Sequence, residues 1–193
     1  PGAVKFTKMA NEEHVVDENN AETNNENKKI RDTVLDNFRR ITHNNEKIRL
    51  KSSIALLKHI FDNKDTENGK DELQYALGRL IRGLAASKNV SKIGFYTFLV
   101  ALFNAIDDIN LPDIFEHVKT KLHHSNSISK SENADIFSGH ILLYGALIRS
   151  NLFEKASIDE KKYIIEQLLI AGKKRNYLYL SCTAFISELC EKV

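Results

Sequence analysis

The sequence contains few of the residues that mark specialised classes of protein. It has no tryptophan, one methionine, two prolines and two cysteines among 193 residues. Two cysteines are too few for a disulfide scaffold. If Cys182 and Cys190 share a helix, they lie about 12 Å apart at roughly 1.5 Å per residue, which is beyond the reach of one disulfide. We therefore interpret both as buried thiols.

Long apolar runs are also missing. The longest covers residues 93–106 and contains Tyr96, Thr97 and Asn104, so it is too short and too polar to span a bilayer. Residues 1–26 lack the apolar block followed by small residues that a secretory signal needs. The sequence therefore predicts an intracellular protein that does not use a membrane as a partner.

The first 26 residues differ in composition from the rest of the chain. They carry six acids against two lysines, with many asparagines and few apolar side chains, which is typical of disorder. Because the chain begins with Pro1 and its one methionine is Met9, either the first residues are foreign or the sequence is a fragment. We predict a disordered acidic tail over 1–26 and a helical-repeat domain over 27–193.

From residue 27 onward the apolar residues recur with the period of a helix. The clearest stripe begins at Leu73 and continues three, four, seven, eight and eleven positions later. Turn and capping residues mark helix ends at the Asn68-Gly69 turn, at Pro112 and at the capping box of Ser157 and Glu160. The pattern predicts eight helices and no convincing strand, with helices at 28–43, 46–62, 71–87, 91–106, 113–124, 134–150, 158–174 and 176–192.

Taken in pairs, the predicted helices repeat after about 42 to 45 residues, a period typical of HEAT and armadillo units. The second helix of a pair tends to be apolar on more sides, as over 93–103, so neighbours must cover it. We therefore predict an all-α fold, an α-solenoid of HEAT/armadillo-like helix pairs. The repeats share little residue-level identity, which leaves a compact helical bundle open.

The sequence carries no catalytic or cofactor-binding motif. It has neither a nucleophile elbow nor a phosphate-binding glycine loop. His117, His123 and His124 do not have zinc-site spacing, and we interpret them as solvated surface histidines. His140 lies in an apolar segment, so we interpret it as a core histidine bonded to the backbone. We expect no catalytic, metal-binding or cofactor-binding residue and no small-molecule substrate.

The acids and glycines have structural interpretations. Asp107, Asp108 and Asp135 could suggest the metal-bound carboxylates of a nucleotidyl transferase, but two-metal catalysis needs acids about 4 Å apart on a rigid scaffold. The first two end a predicted helix in a loop. The glycines scattered through the helices predict sites of close helix contact; they are Gly78, Gly83, Gly94, Gly139, Gly145 and Gly172.

Positive charge is concentrated in residues 27–62, which carry nine lysines and arginines against four acids. Such a helix pair could bind nucleic acid, because cations that neutralise phosphates release counterions. The alternative is an ordinary solvated face, since neither helix interleaves aromatics for base stacking. The candidate nucleic-acid contacts are Arg39, Arg40, Arg49 and Lys51.

A second polar set lies opposite the leucine stripe of the helix predicted at 71–87 and in the turn after it. Its members are Tyr75, Arg79, Arg82, Ser87, Lys88 and Lys92. They could form a binding ridge, or they could pair with acids of a neighbouring repeat.

The same residues carry a family resemblance. The run DELQYALGRLIRGLAASK over 71–88, continued by KIGFY over 92–96, resembles the N-terminal signature of the Myb-binding protein 1A family, also called DNA polymerase phi. The segments at 111–115, 131–135 and 139–140 are similar to animal members, and the resemblance covers about residues 45–192. The family usually has arginine where this chain has lysine at 88 and 92, which keeps the charge but loses two-pronged hydrogen bonding.

The resemblance implies a fragment of a longer, non-enzymatic scaffold built from helical repeats. It implies a location in the nucleus and nucleolus, a role in ribosome biogenesis and in transcription regulation, and binding to transcription factors and pre-ribosomal proteins, with DNA or RNA contacts. The resemblance does not imply a cofactor. Two alternatives stay open: a DNA-directed DNA polymerase, as the family name implies, and a nucleic-acid-binding module that uses the basic first helix pair.

Overall fold

The structure is a computed structural model that describes residues 33–191. The predicted tail over 1–26 lies outside the described residues. Helices make up the described part of the chain and no strand occurs in it, which confirms the all-α prediction. The helices are α1 (33–40), α2 (Glu46–Asn63), α3 (Glu67–Gly83), α4 (Asn89–Ala105), α5 (Leu111–Lys121), α6 (Lys130–Ile148), α7 (Asn151–Lys155), α8 (Ile158–Gly172) and α9 (Asn176–Glu191).

Side-chain caps set the start of several helices. Ser157 and Glu160 form the predicted capping box at α8. Asn110 caps α5 by accepting a hydrogen bond from the amide of Asp113, and Pro112 occupies the first turn. These caps satisfy amide groups that would otherwise have no partner at the helix N-terminus.

Two local predictions are wrong. Asn68 and Gly69 are not a turn: they lie in the first turn of α3, because the hydroxyl of Thr66 accepts a hydrogen bond from the amide of Gly69 at 2.9 Å and starts the helix earlier. The pattern also does not predict α7, a five-residue helix that is too short to produce a periodic stripe.

Helix contacts follow the chain order of the pairs. The second helices of successive pairs, α2, α4, α6 and α9, pack side by side, and α3 packs against α5 among the first helices. Within 33–191 most of the extensive contacts join helices of the same pair or of successive pairs, but α4 also packs against α7, and α5 and α6 make no extensive contact with each other. The contact pattern is compatible with stacked helix pairs.

The most buried helix is α6, which contacts α3, α4, α7, α8 and α9. Its residues Ile141, Leu143, Tyr144 and Leu147 are almost completely removed from solvent. The prediction that this apolar second helix is covered by its neighbours is therefore confirmed. None of the helices in the described range is long and apolar enough to cross a membrane.

Glycines allow the closest helix contacts, as predicted. A Cβ at Gly94 of α4 would overlap the carbonyl oxygen of Ile41, and a Cβ at Gly145 of α6 would overlap the ring of Phe185 from α9. Both neighbours are themselves buried, so neither can move without disturbing the core. The glycines therefore set how closely successive pairs approach each other.

The predicted buried polar groups are confirmed with one exception. His140 Nε2 lies 2.9 Å from the carbonyl oxygen of Leu122, and burial lowers the pKa of His140. Cys182 is buried, and burial raises the pKa of its thiol. Cys190 is exposed, so the prediction of two buried thiols is wrong for this residue, which lies on the outer side of α9.

Candidate binding surfaces

The outer face of α3 presents Tyr75, Arg79 and Arg82, on the side opposite its buried leucines. Nη1 of Arg79 donates a hydrogen bond to the hydroxyl of Tyr75 at 2.9 Å. The guanidinium of Arg79 also lies 4.8 Å from the ring centroid of Phe38 in α1. Arg79 is therefore held in place by a cation–π contact and a neutral hydrogen bond.

These three residues line a groove between α3 and α5 with a volume of about 490 Å³. The side of the groove formed by α5 contributes His117 and Lys121, and the floor includes Gly78. His117 Nε2 lies 3.0 Å from Oε1 of Gln74. Burial lowers the pKa of His117, and the charge of Lys121 adds to the effect. We call this the α3–α5 groove.

The sequence pattern does not predict the part of the groove that α5 contributes. His117 is half-buried and hydrogen-bonded, so its interpretation as a solvated surface histidine is wrong, whereas His123 and His124 are exposed as expected. The spacing of His117 and Lys121, four residues apart on one helix, places them on the same face. That spacing alone could not indicate which helix they would meet.

The other members of the second polar set lie elsewhere. Ser87 and Lys88 are exposed in the connection between α3 and α4. Lys88 lines a surface pocket of about 630 Å³ that it shares with Arg39 and Thr42. Lys92 lies within α4, and its Nζ contacts Oδ1 of Asp135 in α6 at 2.8 Å. Lys92 thus pairs with an acid of the next helix pair, which was one of the two outcomes the sequence left open.

The four candidate contacts of the first helix pair do not converge. Arg40 pairs with Asp36 one turn away on α1. Arg49 donates to the carbonyl oxygens of His43 and Asn44, so it closes the turn between α1 and α2. Lys51 is exposed on α2. Arg39 is exposed and shares the pocket of Lys88.

An apolar groove of about 270 Å³ lies between α2 and α4. Leu50 and Ile54 of α2 and Ile93 of α4 line it, and each is more than half exposed. The expectation that neighbours cover the apolar faces of the second helices is therefore wrong at Ile93. The stripe of Leu50, Ile54 and Leu57 is visible in the sequence, but its exposure depends on how α2 and α4 cross.

Asp107 and Asp108, in the turn after α4, pair with two different lysines. Asp107 pairs with Lys155 of α7, and Asp108 pairs with Lys64 at 3.0 Å. The hydrogen bond from Lys155 lowers the pKa of Asp107. In the part of the chain that the structure describes, no group of three or more histidines, cysteines or acids lies close enough to hold a metal ion.

Comparisons with known proteins identify similar sequences. The sequence model of the family described as DNA polymerase phi matches residues 75–193. The "rDNA transcriptional regulator pol5" of Schizosaccharomyces pombe is 24% identical over 163 residues, which cover 83% of this chain and 16% of that protein. The chain thus spans about one sixth of the length of this relative. No solved structure matches the chain.

Proposed function

Because the chain belongs to the DNA polymerase phi family, we propose that it is part of a nuclear protein that regulates transcription of ribosomal DNA and has no enzymatic activity. The observation that carries this proposal is the similarity over 83% of the chain to a protein named as a regulator of rDNA transcription. The proposal concerns the whole protein, since the chain spans only a small part of that relative.

In this function the helical repeats act as a scaffold in the nucleolus. Stacked helix pairs offer a long surface on which contacts to several proteins can be spread over successive repeats. We propose that transcription factors and pre-ribosomal proteins bind such surfaces, so that the protein also contributes to ribosome biogenesis. Two such surfaces are the exposed apolar groove, which α2 and α4 line, and the α3–α5 groove.

The absence of polymerase activity is supported by how the acids are used. Asp107 pairs with Lys155 of α7 and Asp108 pairs with Lys64 in the turn after α2, so these carboxylates already have cationic partners. Polymerisation by two metal ions needs acids that converge on ions about 4 Å apart. Asp107 and Asp108, in the turn after α4, instead pair with lysines of two separate segments, α7 and the turn after α2.

We expect the tagged full-length protein to concentrate in the nucleolus and its depletion to lower the synthesis of precursor ribosomal RNA. The measurements are fluorescence microscopy and pulse labelling of new transcripts. The full-length protein should restore synthesis in depleted cells, whereas a version lacking residues 33–191 should not. A uniform cytoplasmic signal with unchanged labelling would contradict the proposed function.

We also expect no metal-dependent primer extension by the purified full-length protein. The matched variant carries Asp107→Ala and Asp108→Ala and should give the same background signal, because both acids serve structural ion pairs. Extension of a labelled primer by the unchanged protein, abolished in the double variant, would instead identify a DNA polymerase.

A further inference from the structure

The α3–α5 groove brings cations together without neutralising them. Within residues 33–191, Arg79, Arg82 and Lys121 have no carboxylate within salt-bridge distance. All three side chains line the same groove. Cations placed side by side repel each other, so an arrangement of this kind is favourable when an anion occupies the space between them.

Local structure explains how these cations stay in place without acids. Arg82 lies in the last turn of α3 and Lys121 in the last turn of α5, where the helix dipole favours positive charge. Arg79 is fixed by the ring of Phe38 and the hydroxyl of Tyr75. Arg79 is thus preorganised, and none of the three cations uses its hydrogen-bonding capacity on a carboxylate of the described residues.

The acids of α5 near the groove have partners other than its three cations. Asp113 accepts hydrogen bonds from the side chains of Gln74 and Asn110 at the N-terminal end of that helix. Glu116 lies 3.8 Å from Lys119 on the exposed side. Burial lowers the pKa of His117, which favours the neutral imidazole. The positive charge in the groove therefore comes from Arg79, Arg82 and Lys121.

A second pocket is also lined by cations. Arg39 and Lys88 line it, and the hydroxyl-bearing Thr42 also contributes. Helix α1 serves both places, since Phe38, on which Arg79 packs, and Arg39 both belong to it.

We propose that the α3–α5 groove, through Arg79, Arg82 and Lys121, binds the phosphodiester backbone of nucleic acid, and that Arg39 and Lys88 of the second pocket contact further phosphates of the same chain. Arginine and lysine are the side chains that most often contact phosphates. Three cations in one groove and two more in the second pocket suit a chain of phosphates, whereas a single phosphate group would engage only some of them. Tyr75, which is 53% exposed beside the groove, offers a ring on which a base can stack.

This inference rests on the proposed function for the source of the nucleic acid, ribosomal DNA or its transcript, and on the geometry for the site. The proposed nucleic-acid site differs from the one predicted from the charge of the first helix pair, and it shares only Arg39 with that prediction. Arg40 and Arg49 are held by internal partners, and Arg39 contributes because it lies beside Lys88.

The test compares two charge-reversal variants of the purified full-length protein. One carries Arg82→Glu and Lys121→Glu, which change two exposed residues of the groove. The matched control carries Lys58→Glu and Lys162→Glu, which change two exposed residues on α2 and α8. The net charge changes equally, and none of the four side chains has an ion pair within the described residues.

Binding is measured by fluorescence anisotropy with a short duplex DNA, a single-stranded RNA and an acidic phosphoserine peptide. We expect the groove variant to bind DNA, RNA or both at least about tenfold more weakly than the control variant, and its salt dependence to fall by about one unit of slope for each phosphate that it no longer neutralises. Comparing the affinities for the DNA and for the RNA shows which of the two nucleic acids the groove binds. Equal affinities of the two variants for both nucleic acids would overturn the proposal, as would loss of peptide binding alone.

Photo-crosslinking provides a second measurement, which locates the bound nucleic acid on the protein independently of the affinity. Probes carrying 5-iodouracil should crosslink to the peptide that contains Tyr75, and crosslinked peptides that all lie outside 39–121 would overturn the site. The groove variant should still locate to the nucleus. Failure of the binding test therefore leaves the proposed function standing, whereas a cytoplasmic location of the unchanged protein contradicts that function whatever the binding result.

Discussion

Replacing Gly94 by alanine is expected to lower the free energy of unfolding by about 3 kcal/mol or more. The new Cβ would overlap the carbonyl oxygen of Ile41. That oxygen belongs to the backbone between α1 and α2, and Ile41 is completely buried, so relief requires α4 to move away from the first helix pair. Urea denaturation of the two proteins, followed by circular dichroism at 222 nm, measures the difference.

The matched control is alanine at Gly78, a second glycine inside a helix. Its Cβ would lie 3.3 Å from the imidazole of His117, a side chain that can shift by a few tenths of an ångström. Because alanine is favoured over glycine in a helix by up to about 1 kcal/mol, we expect this variant to be as stable as the unchanged chain or slightly more stable. Equal losses at both glycines would show that close approach to Ile41 is not the cause.

Replacing Lys92 by methionine is expected to cost about 2 kcal/mol of stability. The side chains of Lys92 and Asp135 are only 13% and 25% exposed, so the substitution leaves a carboxylate largely screened from water and without its cation. The pair joins α4 to α6, the two second helices at the centre of the described stack. Chemical denaturation of the variant gives the loss directly.

An exposed ion pair serves as the control. Lys155 and Asp107 are 62% and 80% exposed, so water screens this pair and Lys155→Met should leave the free energy of unfolding unchanged within the error of the measurement. Adding Asp135→Leu to Lys92→Met should recover part of the loss, because the uncompensated carboxylate is then removed. A double variant less stable than the Lys92 variant would contradict the assignment of the cost to the isolated acid.

The helices follow from the sequence because their apolar stripes are local. The stripe from Leu73 predicts the buried face of α3, and the same spacing puts Tyr75, Arg79 and Arg82 together on the opposite face, as the structure has them. The predicted start of α3 is wrong because the sequence pattern indicates a turn at Asn68-Gly69. In the structure, the hydroxyl of Thr66 accepts a hydrogen bond from the amide of Gly69 and caps the helix earlier.

The sequence predicts only the α3 side of the α3–α5 groove, because the other side is formed by α5. His117 and Lys121 lie about 40 residues after the α3 residues that they face, and no local period connects the two segments. The same limit explains Lys92, which belongs to the family-like run but turns to Asp135 of the next pair. Charge and spacing indicate which residues are exposed on a helix, whereas the packing of pairs decides which of them share a groove.

The order of the helix contacts has a consequence for how the protein is made. Most helices pack against segments of the same or the neighbouring pair, and even the hydrogen bond from Arg149 to the hydroxyl of Tyr96 spans only 53 residues. At about 5–20 residues per second, a ribosome adds that length of chain in at most about eleven seconds. The nascent polypeptide can therefore bury each pair as the next one emerges, without waiting for the far end of a long translation product.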